Sequence, residues 1–160
     1  MKKYLVFLLV LLFAIGAASA SSSLDDALND LESLTNLNVE YFESDTNVTV
    51  GGYNFTIPQG FGPIDQLSVD VSKNNDSENI EFFTNSNNDV IMVSITGSDD
   101  INGTIYDYLP DDITGKNATI KGFEGVKWSE KSYAFFTFQE NNDIVVLQAP
   151  QDSYFEKMIV

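Results

Sequence analysis

"SYAFFTFQ" (132–139) and "DIVVLQA" (143–149) lie close together near the C-terminal end of the chain. Read with a period of two, Tyr133 and Phe135 point to one face of a strand while Ala134, Phe136 and Phe138 point to the other. In the second run Ile144 and Val146 oppose Val145, Leu147 and Ala149. A strand with one wetted face alternates apolar and polar residues, and neither run does. Both are therefore predicted to be central strands covered on each side. The intervening "ENND" (140–143) reads as a hairpin turn, which makes the two antiparallel.

Upstream the same two-residue period recurs. "VEYFE" (39–43), "VTV" (48–50), "YNFTI" (53–57), "QLSVDV" (66–71), "NIEFFT" (79–84), "DVIMVSIT" (89–96), "NATIK" (117–121) and "GVKWSE" (125–130) read as strands parted by Asn, Asp, Ser and Gly clusters, with "NSNND" (85–89) as a second hairpin turn. Three segments carry helical spacing instead. Leu24, Leu28, Leu31 and Leu34 form a stripe behind a capping pattern at Ser23 and Asp26. Ile101, Ile105 and Leu109 recur every four residues up to Pro110, and Phe155, Met158 and Ile159 follow Asp152 as N-cap. The expected fold is α+β: a single, mostly antiparallel, meandering sheet packed between an N-terminal helix, a short middle helix and a C-terminal helix.

The glycine-rich stretch "VGGYNFTIPQGFG" (50–62) fits that frame as structure rather than as a ligand cradle. Gly51 and Gly52 supply the positive φ of a two-residue turn, Phe55 and Ile57 face inward, Asn54 and Thr56 face outward, and Pro58 ends the pairing. Gly60 and Gly62 then turn the chain around Phe61. A phosphate-binding loop needs G-x-G-x-x-G or G-x-x-x-x-G-K-[ST] at a helix N-terminus, and neither spacing is present.

The order "V-G-G-x-x-F-x-I-P-x-G-F", a hairpin pair, "IKGFEGVKW", "FFTFQENNDIVVLQAP" and a closing "FEKMI" resembles small exported proteins of unknown function from methanogenic archaea, over residues 48–160. More distantly it is similar to PsbP/Mog1-like α/β/α sandwiches, in which "F-x-I-P-x-G-[FW]" opens the sheet. That resemblance implies a fold and an accessory binding role, and it brings no catalytic residues.

Composition narrows the chemistry. The 160 residues are 43% hydrophobic, enough for one domain of ordinary size. Cys, His and Arg are all absent, so there is no thiolate, disulfide, imidazole base or guanidinium clamp. The formal charge is −16, from 24 acids against eight lysines. A surface this acidic repels phosphate backbones and anionic headgroups, which argues against nucleic acid and bare membrane as partners.

"MKKYLVFLLVLLFAIGAASASSS" (1–23) has the form of a secretory leader: Lys2 and Lys3, an apolar run over 4–18, and Ala18-Ser19-Ala20 as the cleavage pattern. The alternative, an uncleaved anchor helix, is disfavoured because the run falls short of the roughly 20 apolar residues that span a bilayer. Cleavage is expected after Ala20, giving a leader (1–20), an amphipathic helix (21–38) and an α+β domain (39–160). The mature chain loses two lysines and no acid, which takes −16 to −18. It is expected to be secreted or held at the cell surface without membrane insertion. Asn47, Asn54, Asn75, Asn102 and Asn117 each open an Asn-x-Ser/Thr sequon, which suits an exported glycoprotein.

Candidate sites are few. Ser98 to Gly103 resembles the front of a calcium loop, with Asp99, Asp100 and Asn102 as ligands, but Leu109 stands where the bidentate Glu belongs, so only low-affinity calcium binding is expected. Glu81, Glu124 and Glu130 read as surface residues, and Ser129, Lys131 and Ser132 as a hairpin turn. Trp128, Tyr133, Phe135 and Phe136 are candidates for a sugar-stacking platform, against a core role. Tyr106 and Tyr108 are expected at the rim of an exposed groove. No catalytic residue and no cofactor is assigned. The expected function is an exported, acidic, non-catalytic accessory or binding domain at the cell surface, taking a cell-envelope component or a small ligand. The alternative is a carboxylate-dependent extracellular hydrolase of glycosidase type, which needs two acids converging in a cleft.

Overall fold

The computed structural model describes residues 39–73, 76–98, 105–109 and 113–160. Residues 1–20, expected to be a leader, the segment 21–38, expected to be an amphipathic helix, and Asp99, Asp100 and Asn102 lie outside the described residues. Strands β1 (Thr46–Val50) and β2 (Tyr53–Ile57) form a separate two-stranded sheet. Their turn is Gly51-Gly52, with φ of 55° and 87°, the pair of positive angles that a type I′ turn demands.

The larger sheet contains β3 (Phe61–Pro63), β4 (Val69–Lys73), β5 (Asp76–Asn85), β6 (Val90–Ser98), β7 (Lys116–Ile120), β8 (Phe123–Glu130), β9 (Tyr133–Glu140) and β10 (Asp143–Ala149). All pairings are antiparallel, in the order β3-β5-β6-β10-β9-β8-β7, with β4 beside β3 on the same flank of β5. β10 and β9 are interior strands, as their sequences require. The chain leaves β6 and re-enters at the opposite edge as β7, then meanders back through β8 and β9 until β10 closes on β6.

Two apolar layers result. On one face Phe83, Ile91, Val93, Ile95, Phe136, Phe138, Val145 and Leu147 join Val50, Phe55 and Ile57 of the hairpin, together with Phe155, Met158 and Ile159. Strand alternation places Ile80, Phe82, Met92, Val126, Phe135 and Ile144, also buried, on the other. The hairpin is tied down at its turn end by Tyr53, whose hydroxyl donates to Asp143 Oδ2 at 2.6 Å and accepts from Asn141 Nδ2 at 3.3 Å. The C-terminal segment clamps the same strand, β2, further along: Phe55 and Ile159 form an antiparallel bridge, and Lys121 Nζ donates to the Ile159 carbonyl at 2.8 Å.

The expectation of a sheet packed between three helices is corrected by this arrangement. Among the described residues the only α-helix is α1 (Phe155–Met158), a single turn preceded by a 3-10 turn at Asp152–Tyr154. The expected middle helix is represented by another 3-10 turn, Ile105–Tyr108. The apolar stripe of Phe155, Met158 and Ile159 is buried as its spacing implies, but Ile159 has already turned to ψ 130° to bridge with Phe55. Tertiary pairing outweighs the weak tendency of so short a segment to stay helical. The fold is mostly β, and a hairpin rather than a helical layer covers much of one core face. Two smaller differences follow. Residues 39–43 form no strand, although Phe42 exchanges backbone hydrogen bonds with Phe61 and Gly60, and Phe61, expected in a turn, starts β3.

Candidate functional site

The register of β7 on β8 sets Lys116 directly opposite Lys127. Like charges facing each other across a strand pair are unfavourable. Asp152, delivered by the turn after β10, stands close enough to relieve one of them, with its Oδ2 3.1 Å from Lys127 Nζ. A third lysine, Lys131, occupies the β8–β9 turn at φ 55°, a left-handed conformation that disfavours any residue with a Cβ. Lys116, Lys127 and Lys131, with Thr114, Ser129, Ser132, Gln151 and Asp152, line an open groove of about 630 Å³. Three of the eight lysines of a chain with formal charge −16 therefore border one depression, where Asp152 is the single carboxylate among the described residues.

Alternation along β8 and β9 decides which groups the groove offers. Lys127, Ser129 and Ala134 share the face that carries Phe136, whereas Trp128, Tyr133 and Phe135, which also border the groove, belong to the opposite face. Trp128 stacks on Phe135 with centroids 3.8 Å apart and planes 6° from parallel, and its Nε1–H donates to Thr137 Oγ1 at 3.2 Å. Phe135 is 2% exposed and Phe136 is fully buried. The four aromatics considered for a stacking platform thus divide between two faces: Phe135 and Phe136 serve the core, and Trp128 and Tyr133 are half-buried. Burial, followed by the negative charge of Asp89, holds the Tyr133 hydroxyl above its ordinary pKa, against a hydrogen bond from the Val90 backbone.

The other candidates fall elsewhere. Tyr106 is exposed, on the 3-10 turn beside β7, and its hydroxyl donates to Asn117 Oδ1. It lies at a sheet edge and not in the lysine-lined groove. Tyr108 belongs to the same turn. Among the described residues no group of three or more acids is gathered as a metal would require, and no helix is long and apolar enough to cross a membrane. Ser129, Lys131 and Ser132 do form the expected hairpin end, and they also line the groove. The sequence carries one signal that a reading for periodicity and motifs misses: four of the eight lysines fall between positions 116 and 131.

Comparison of the chain with protein-family models, with curated proteins and with solved structures finds no match.

Proposed function

We propose that the protein is an exported, non-catalytic binding domain of the cell surface that holds an acidic saccharide of the envelope in the groove between β7, β8 and the turn after β10. The carrying observation is the gathering of Lys116, Lys127 and Lys131 on an otherwise strongly acidic chain. Ammonium groups are point charges for carboxylate, sulfate or phosphate substituents, and Thr114, Ser129, Ser132 and Gln151 supply the short hydroxyl and amide groups that pair with sugar hydroxyls. The surrounding acidity repels polyanions at large, so a ligand must bring its charge to this one place. Open, solvated contacts of this type are individually weak. Three of them with a few hydrogen bonds give about 4 to 6 kcal/mol, a Kd between roughly 0.05 and 1 mM.

Hydrolysis by paired carboxylates draws no support from the described lining of the groove, in which Asp152 is the one acid among the described residues and is paired with Lys127. The test is calorimetric titration of residues 21–160 with an oligouronate and with its neutral counterpart. Saturable binding of the acidic oligomer alone supports the reading. Equal binding of both, or of neither, refutes it.

A further inference from the structure

Three of the five sequons fall among the described residues, and all three lie on strands at the margin of a sheet. Among the described residues Asn47 is on β1, which pairs with β2 alone; Asn54 is on β2, which pairs with β1 and is bridged to Ile159 at Phe55; and Asn117 is on β7, which pairs with β8 alone and ends the larger sheet. Alternation puts the Asn and Thr of each sequon on one face, and in the hairpin that face is the outer one, where Asn47, Thr49 and Asn54 are exposed. There the two sequons interlock. Thr56 Oγ1 donates to Asn47 Oδ1 at 2.9 Å, and Thr49 Oγ1 donates to Asn54 Oδ1 at 2.9 Å. The hydroxyl of Tyr106 does the same for Asn117.

In each case the carboxamide oxygen accepts the hydrogen bond, Nδ2 takes no part in it, and the residue is exposed. Nδ2 is the atom that N-linked glycosylation modifies, and the glycosylated amide keeps its carbonyl, so these hydrogen bonds survive the modification. The outer face of the hairpin is also uncharged: Asn47, Thr49, Asn54 and Thr56 alternate there with the inward-facing Val48, Val50, Phe55 and Ile57. Exposed strands are ordinarily protected from pairing with other chains by charge, proline or a covering element. The outer face of the hairpin carries neither charge nor proline, whereas β7 carries Lys116.

We propose that Asn47, Asn54 and Asn117 bear N-linked glycans, and that these glycans block edge-to-edge association of β1–β2 and β7. In the transfer, a C1–N bond forms between the first sugar and Asn Nδ2, the C1–O bond to a lipid-linked phosphate donor breaks, and Nδ2 gives up one proton. A membrane glycosyltransferase of the exporting cell supplies the catalysis. The inference rests on the export reading and is independent of the groove.

The test produces the full chain with its leader in a secretory host that N-glycosylates, together with Asn47→Gln, Asn54→Gln and Asn117→Gln singly and combined. Thr119→Ala removes the third sequon but leaves Asn117 and its bond to Tyr106 in place. The product is read by N-terminal sequencing, intact mass and sedimentation. The expected result is a leaderless chain carrying a glycan at each of the three sites, loss of one glycan in each single variant, the same loss in Thr119→Ala and Asn117→Gln, and self-association only when all three are removed. A leaderless chain bare at these positions overturns the proposal, even with Asn75 or Asn102 modified. A chain retained with its leader uncut and unmodified overturns the export reading and this inference with it. Glycans whose removal leaves sedimentation unchanged overturn the edge-blocking role.

Discussion

Replacing Asp152 with asparagine should move stability and ligand affinity in opposite directions. Asp152 Oδ2 is 3.1 Å from Lys127 Nζ, with the two side chains 65% and 34% exposed. At such exposure the pair contributes only about 0.2 to 1 kcal/mol. Its loss also leaves Lys116 facing an unneutralised Lys127, which adds a few tenths of a kcal/mol. The fold should thus lose roughly 0.3 to 1.5 kcal/mol, a fall in Tm of a few degrees. For an anionic ligand the same change is favourable. A unit charge about 6 Å from the vanished carboxylate escapes a repulsion of ~0.7 kcal/mol in water, roughly halved at physiological salt. Lys127, freed from its partner, contributes one more exposed contact of about 0.2 to 1 kcal/mol. Affinity should rise about two- to tenfold, and the gain should shrink as salt is raised. Titration calorimetry with the oligouronate and thermal unfolding of the same preparation measure both quantities. Lys116→Gln is the converse: binding weakens about two- to fivefold while Tm holds or rises, because a like-charge pair has been removed. An Asp152→Asn variant that binds no better than the parent chain would refute the assignment of the groove as the anion site.

Three further outcomes follow from the core and its turns. Phe136→Ala removes a fully buried ring 5.3 Å from Phe138 and 6.1 Å from Phe155, and should destabilise the domain by about 3 to 5 kcal/mol in urea unfolding. Gly51→Ala should cost about 2 to 3 kcal/mol, since φ is 55° and the new Cβ would lie 2.9 Å from Ile95 Cβ; Gly52→Ala, at φ 87° with open space around it, should cost only about 1 kcal/mol, and equal losses would contradict the packing of the turn on β6. Tyr133 and Tyr53 both hold their protons longer folded than unfolded, from burial first and then from Asp89 and the bond to Asp143 respectively. The unfolded chain therefore releases protons first as pH rises, so the stability these groups contribute is whole below about pH 10 and is lost above it. Alkaline unfolding followed at rising pH should be blunted in Tyr133→Phe, and an unchanged profile would count against it.

What could be read from the chain alone was local. The apolar faces of "YAFFTF" and "IVVLQA" announced interior strands because burial on both sides leaves no polar alternation, and the Gly51-Gly52 turn announced itself because positive φ is a property of single residues. The placement of β10 against β6 was not legible: pairing partners far apart in sequence are chosen by shape and register across the whole sheet. Periodicity at Phe155, Met158 and Ile159 reported burial correctly and helix only in part, since a segment that short takes whatever backbone its neighbours impose. The groove was hidden for the same reason as β10. Lys116, Lys127 and Lys131 are near one another in sequence, but only the β7–β8 register and the return of Asp152 set them around one depression. The aromatics were legible for the local reason: Phe135 and Phe136, neighbours in sequence, stand on opposite faces as strand alternation requires.

The claim that an acidic saccharide is held at this groove is tested most directly by following the lysine ammonium groups and the Ala134 and Thr114 methyl groups by NMR as the oligouronate is added. Shifts that saturate together at Lys116, Lys127, Lys131, Ala134 and Thr114, leaving the hairpin of Asn47 to Thr56 untouched, are the expected result. Shifts confined to other surfaces, or none at all at millimolar ligand, would contradict it.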